Sequence, residues 1–366
     1  GRDGLVASFD IETAANNNKV APPSWSTEID GTPVAMLAGD DKLFVVTEEA
    51  KIFCFGAKKV LAKQHDLRPM KPLARHRSDV AEAILADDRS APGYAVALGI
   101  GSGDLIDEVL ATSQLDLIVI DPDPSKVERL RRAMNDRGVY GTRIVAHVGD
   151  PASFDLPPYL ANVIFGDTLQ DVPPTGIVQL GRKIFESLRP YGGTLCLRLS
   201  DTQHKALQDA IGKNKFANSE LSRDGKFSSL RRVGSLPGAG TWTHQYADAA
   251  NSVVSRDTLV KAPLGLLWFG GPPNDKVLPR HGHGPSPQVA GGRLVIEGAD
   301  MLRSVDVYTG RVFWERELPG LGEYYDTTRH FPGAGEIGSN YVTLPDSIYA
   351  VYRKELLQLD ARTGKT

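Results

Sequence analysis

A seven-residue pattern occurs near both ends of this chain: SFDIETA at Ser8–Ala14, SVDVYTG at Ser304–Gly310 and QLDARTG at Gln358–Gly364. In each copy an apolar residue precedes Asp, Thr follows three positions after it, and Gly or Ala closes the unit. Such a turn is chemically coherent, because Asp and Thr side chains bond nearby backbone N–H groups and Gly takes positive φ. The neighbouring stretches DKLFVVTEEAKIFCFG, GGRLVIEGADMLRSVDV and DSIYAVYRKELLQLD alternate apolar with polar residues at period two, the pattern of paired short strands. Trp25 and Trp314 follow two of the turns, and Trp268 in GLLWFGGP is expected to open another unit. Repeats of four short strands, roughly forty to fifty residues each, are the implied architecture at the two ends.

Between the ends the pattern changes. YAVALGIG, LDLIVIDP, TRIVAHVGD, ANVIFGD and GGTLCLRLS are short runs rich in Val, Ile and Leu, as buried parallel strands are, and helical spacers separate them. PSKVERLRRAMNDRG carries Val127, Leu130 and Met134 on one stripe and stops at Gly138. GIVQLGRKIFESLRPYGG behaves likewise. The α/β block runs from about Leu73 to Gly234, with KKVLAKQHDLRPMKP as the linker leading in. The expected division is residues 1–60, 61–236 and 237–366, the middle one inserted into the repeat structure.

Within that block, VALGIGSGDLIDEVL places three glycines between a strand and a helix, so backbone N–H groups at the helix start face whatever lies across the strand ends. A dinucleotide fingerprint needs Gly-x-Gly-x-x-Gly. Counting from Gly99 puts Asp104 at the third position, and counting from Gly101 puts Ile106 there, so the fingerprint is absent. Asp104 beside the loop would also repel a pyrophosphate.

Gly99-x-Gly101-x-Gly103 instead resembles the loop of class I S-adenosylmethionine-dependent methyltransferases, whose fold is Rossmann-like. The resemblance implies that this cofactor lies with its amino-acid end along Gly99, Gly101 and Gly103. It implies a ribose held by Asp121, which ends LIVID, and an adenine amino group held by Asp150 in HVGDP. Asp167 in VIFGDT falls where the family places groups near the transferred methyl. Asp123 followed by Pro124 is the better helix cap, which leaves Asp121 free for a ligand. Asp121→Ala is therefore expected to weaken cofactor binding and leave the fold intact. Two features depart from the family: Ala97 stands where many members carry an acid, and the Asn/Asp-Pro-Pro-Tyr motif is missing from VIFGDT, LPPYL coming before that strand instead. No catalytic base is identifiable, and the methyl acceptor is unknown.

The terminal repeats, with A-x-D-x-x-T-G-x-x-x-W as their pattern, resemble those of PQQ-type (quinoprotein-like) β-propellers, and TWTHQYADAANSVVS at Thr241–Ser255 resembles the opening strand of such domains. The fold class expected is thus multidomain: antiparallel propeller blades interrupted by an α/β Rossmann-like domain. No PQQ is expected here, since the dehydrogenase relatives carry adjacent cysteines and this chain has none. The leading reading is a methyltransferase domain in a propeller that presents or recognises a protein partner. The alternative is a non-catalytic scaffold with a degenerate insert. An aminopropyl transferase uses a related loop, but no acidic set for a polyamine is evident.

Composition narrows the partners. A net charge of −3 over 366 residues, without long Lys/Arg blocks, removes the electrostatic footprint of a nucleic-acid binder. No apolar run reaches the length of a membrane span. Cys54 and Cys196 each lie in an apolar strand-like run and are expected to be buried thiols. His281 and His283 lack a third ligand, so no metal site is expected. Both termini fall in mid-pattern, as in a piece of a longer chain. The compartment stays open: cytoplasmic if the cofactor site works, extracytoplasmic if the propeller resemblance decides.

Overall fold

The computed structural model describes residues 4–10, 22–58, 78–85, 92–167, 169–213, 216–272, 276–279, 283–330 and 332–366. The chain divides into two compact units, Gly1–Leu67 and Arg68–Thr366. The linker proposed from the sequence lies almost wholly outside the described residues.

In the first unit β1 (Leu5–Ser8) pairs antiparallel with β2 (Trp25–Glu28), while β3 (Pro33–Gly39), β4 (Lys42–Thr47) and β5 (Ile52–Gly56) form a three-stranded meander. The alternation of β5 turns Phe53 and Phe55 to one side, where Phe55 meets Trp25 edge-on at 5.2 Å. Cys54 points the other way and is exposed. The expectation of a buried thiol fails because this small sheet covers one face only, and an apolar run cannot say which of its residues faces outward. Cys196 is buried as expected.

The second unit opens with a short helix, Asp79–Ile84, and then alternates strand and helix. Five parallel strands, β6 (Gly93–Leu98), β7 (Leu115–Asp121), β8 (Ile144–Val148), β9 (Val163–Gly166) and β10 (Thr194–Arg198), join an antiparallel hairpin of β11 (Ser219–Asp224) and β12 (Phe227–Arg232). The sheet order is β11-β12-β10-β9-β6-β7-β8. Period-two alternation distributes side chains to two cores. Ala95 and Ala97 of β6 pack with Val127, Leu130 and Met134 of the helix Pro124–Asp136, whereas Val96 and Leu98 pack with Ile177, Leu180 and Ile184 of the helix Pro174–Ser187. The first of these helices starts where the sequence places it, with the Asp123 carboxylate accepting the N–H groups of Ser125 and Lys126, and Gly138 takes φ +71° beyond its end.

Two further antiparallel sheets follow: β13 (Gln288–Ala290), β14 (Arg293–Gly298), β15 (Met301–Asp306) and β16 (Val312–Glu317) make four strands, and β17 (Tyr341–Thr343), β18 (Ser347–Tyr352) and β19 (Glu355–Asp360) make three. The repeated turn behaves as its chemistry requires. Asp306 accepts from the Tyr308 N–H and the Thr309 hydroxyl, and Asp360 accepts from the Arg362 and Thr363 N–H groups and the Thr363 hydroxyl. A tryptophan covers each of these two turns, while the copy at Ser8–Ala14 lies mostly outside the described residues. Trp268 donates to the Val307 carbonyl over Gly310, and Trp314 donates to the Ala361 carbonyl over Gly364. Trp268 nevertheless opens no strand: 264–270 has no sheet partner and exposes Phe269 at 93%. Of TWTHQYADAANSVVS only isolated bridges form, one joining Trp242 to Val289 of β13.

The four-stranded sheet is tied to the parallel one. Arg189 makes a two-pronged, buried ion pair with Asp306, at 3.1 and 3.3 Å, and Arg311 pairs with Asp116 while donating to the Gly93 carbonyl. The turn aspartate of the repeat is thus shared between its own hairpin and the α/β part.

Candidate cofactor site

The chain order of the parallel strands reverses between β6 and β9, which makes the crevice outside their carboxyl ends the favoured place for a ligand in an open α/β sheet. The loop after β6 runs through Gly99, Gly101 and Gly103 at φ +94°, +56° and +92°, each a left-handed conformation that glycine adopts without strain. Gly103 is the N-cap of the helix Asp104–Thr112 and supplies no side-chain cap, so the first turn keeps donors directed out of the sheet. A Cβ on Gly103 would meet open space, whereas one on Gly101 would stand 3.2 Å from the Asp167 carboxylate. The loops after β6 and β9 therefore meet at the reversal.

Asp121 ends β7 and is 4% exposed. One carboxylate oxygen accepts the Ile100 N–H and the other the Asp123 N–H, both at 2.8 Å, while its backbone carbonyl accepts the Gly149 N–H at 3.0 Å. A single residue thus fixes the loops after β6, β7 and β8. The helix cap is Asp123, as the sequence indicates, but Asp121 is not free. Asp121→Ala would remove the side-chain acceptors of two half-buried backbone N–H groups, so the expectation of an untouched fold is corrected here. Asp150 is exposed and accepts the Ala152 N–H at 3.0 Å; Phe154, one turn on, lies over Gly149. Asp167 is half-buried and Ala97 is fully buried in β6. The structure brings Gly101 against Asp167 and Asp121 against the glycine loop, and it leaves Asp150 at the rim. Sequence reasoning missed Ile100 and Gly149; their bonds run through backbone atoms, and only a buried strand-end Asp hints at them.

The donor set fits an S-adenosylmethionine-like ligand. Each Asp121 oxygen keeps acceptor capacity beyond its one backbone bond, because an ionised carboxylate offers about four lone-pair positions. Carboxylates at Asp104, Asp121, Asp150 and Asp167 suit a ligand carrying positive charge and hydroxyl donors, and oppose a pyrophosphate. Among the described residues no group of three or more His, Cys, Asp or Glu is placed to hold a metal ion, and His281 lies outside them.

No protein-family model matches the chain, and no curated protein matches it. Solved structures resemble part of the chain. A protein from Corynebacterium glutamicum is 17% identical at a TM-score of 0.34, with 43% of this chain and 79% of that one covered. A geranyl diphosphate methyltransferase in complex with GPP and sinefungin is 10% identical at 0.31, with 41% and 75% covered. An S-adenosylmethionine-dependent methyltransferase from Mesorhizobium loti is 21% identical at 0.27, with 32% and 52% covered, so the chain spans about half of its length. The α/β part has a Rossmann-like architecture on its own strand order.

Proposed function

We propose that the α/β part is an S-adenosylmethionine-dependent methyltransferase domain. Its ribose-binding carboxylate is Asp121, its glycine loop Gly99, Gly101 and Gly103 receives the amino-acid end, Asp150 accepts from the adenine amino group, and Asp167 stands near the loop that would face the reactive centre. The observation that carries this reading is the Asp121 side chain, held by the glycine loop at the strand-order reversal. When bound, the cofactor supplies a methyl group already activated by its positive sulfur. What the chain then contributes is mainly orientation in a fixed cleft, and the rigid loop geometry is suited to that.

The four- and three-stranded sheets are proposed as blades of a propeller of the PQQ type that presents a partner, with residues 1–60 and 237–366 belonging to one such structure interrupted by 61–236. The repeated Trp-over-Gly packing supports this for the second piece. A scaffold role with a degenerate insert is the second reading, and Ala97 in place of the family's acid, with the missing Asn/Asp-Pro-Pro-Tyr motif, favours it.

Calorimetric titration with S-adenosylhomocysteine separates them. Saturable binding that weakens about tenfold in Asp150→Ala, whose carboxylate is exposed and makes one backbone bond, supports the cofactor reading. Absence of binding at millimolar ligand to a folded wild-type protein leaves the scaffold.

A further inference from the structure

At the amino ends of β6, β9 and β10, away from the glycine loop, the two layers of the second unit enclose a cavity of about 550 Å³. This is within the roughly 300–1,000 Å³ of small-molecule sites. Four arginines line it, Arg189 and Arg231 from the α/β part and Arg293 and Arg362 from the antiparallel sheets, against one lining carboxylate, Asp346. Gly292 packs against the Tyr191 ring where the layers meet beside it, and Phe313 and Trp314 supply aromatic wall.

Asp306 neutralises Arg189, so the cationic face of the lining is that of Arg293 and Arg362. Asp306 is committed to Arg189 and to its own turn, and Asp360 to the turn at Thr363. Arg293 donates one nitrogen to the carbonyls of Gly291 and Pro345, which are neutral acceptors. Burial pulls its guanidinium below the ordinary arginine range, and Arg189 and Arg362 add to this, opposed by Asp360 and Asp306. The Phe313 ring centroid is 5.2 Å from the Arg189 guanidinium carbon and 5.9 Å from that of Arg293. Two guanidinium groups, those of Arg293 and Arg362, lining one half-enclosed, aromatic-walled space suit a planar oxyanion.

We propose that this cavity is a binding site for a small organic dianion, a phosphate ester or a dicarboxylate with an aromatic or similarly flat body, separate from the cofactor crevice and independent of whether that crevice is active. The phosphate and carboxylate forms share the chemistry of a doubly charged oxygen face against paired arginines.

The test titrates the whole chain with phenyl phosphate and with phthalate, which share a ring and a double charge. Saturable binding of either, weakened about tenfold or more in Arg362→Glu and in Arg293→Gln, supports the site, and the tighter of the two names the oxyanion. Arg362 is exposed, so its variant serves even if Arg293→Gln fails to fold. No saturable binding of either probe at about 10 mM, or binding unchanged in folded Arg362→Glu, overturns the proposal.

Discussion

Glu297 is 3% exposed, and neither carboxylate oxygen meets a hydrogen-bond partner within bonding geometry among the described residues. Burial pushes its carboxyl up to about 7, with the nearby Asn340 amide pulling the other way. Since the folded value lies above the ordinary one, the folded state holds more protons between about pH 4.5 and 7. Stability therefore falls as pH rises through that window and levels off above it, by about 3 kcal/mol in total. Glu297→Gln is expected to flatten this slope and to melt higher than wild type at pH 8, with little difference at pH 4.5; thermal melts at the two pH values decide it. Asp121→Ala is expected to lower stability by about 1–2 kcal/mol in denaturant titration, because it removes the acceptors of two half-buried N–H donors, while Asp123→Ala costs about 1 kcal/mol through the lost cap. A Asp121→Ala protein as stable as wild type would show that those donors are satisfied elsewhere.

At the scale of elements, legibility followed locality. The helix Pro124–Asp136 was readable because its stripe, its Asp-Pro start and its Gly stop all lie between Asp123 and Gly138, and the glycine loop was readable for the same reason. What failed depended on partners distant in the chain. Cys54 needed knowledge of which face its sheet covers, and the apolar stretch at 264–270 needed a strand beside it that the described residues do not supply. The arginine cavity was invisible because its four cations sit in unrelated sequence contexts and come together only in the fold. The Trp-over-Gly contact yields its own expectation. Gly364 holds φ +68° and a Cβ there would lie 2.7 Å from the Trp314 ring, so Gly364→Ala should cost about 1–3 kcal/mol and shift Trp314 fluorescence. Unchanged emission would show that the ring tolerates the methyl.

On the scale of the second unit, Asp306 joins the repeat turn to the α/β part through Arg189, both residues being buried. Removing one partner leaves an uncompensated charge, so Asp306→Ala is expected to destabilise by about 3–5 kcal/mol, well beyond a turn substitution, and Asp306→Ala with Arg189→Met together should lose less than the sum. Additive losses in that double-mutant cycle would mean that the pair carries no coupling. The parallel sheet has one more consequence. The glycine loop lies at its carboxyl ends and the arginine cavity at its amino ends, separated by a strand of six residues, or about 20 Å. Occupants of the two ends cannot touch, and the sheet between them is a single packed layer. Saturating one end should accordingly leave the dissociation constant at the other unchanged, and the rises in melting temperature produced by the two ligands should simply sum.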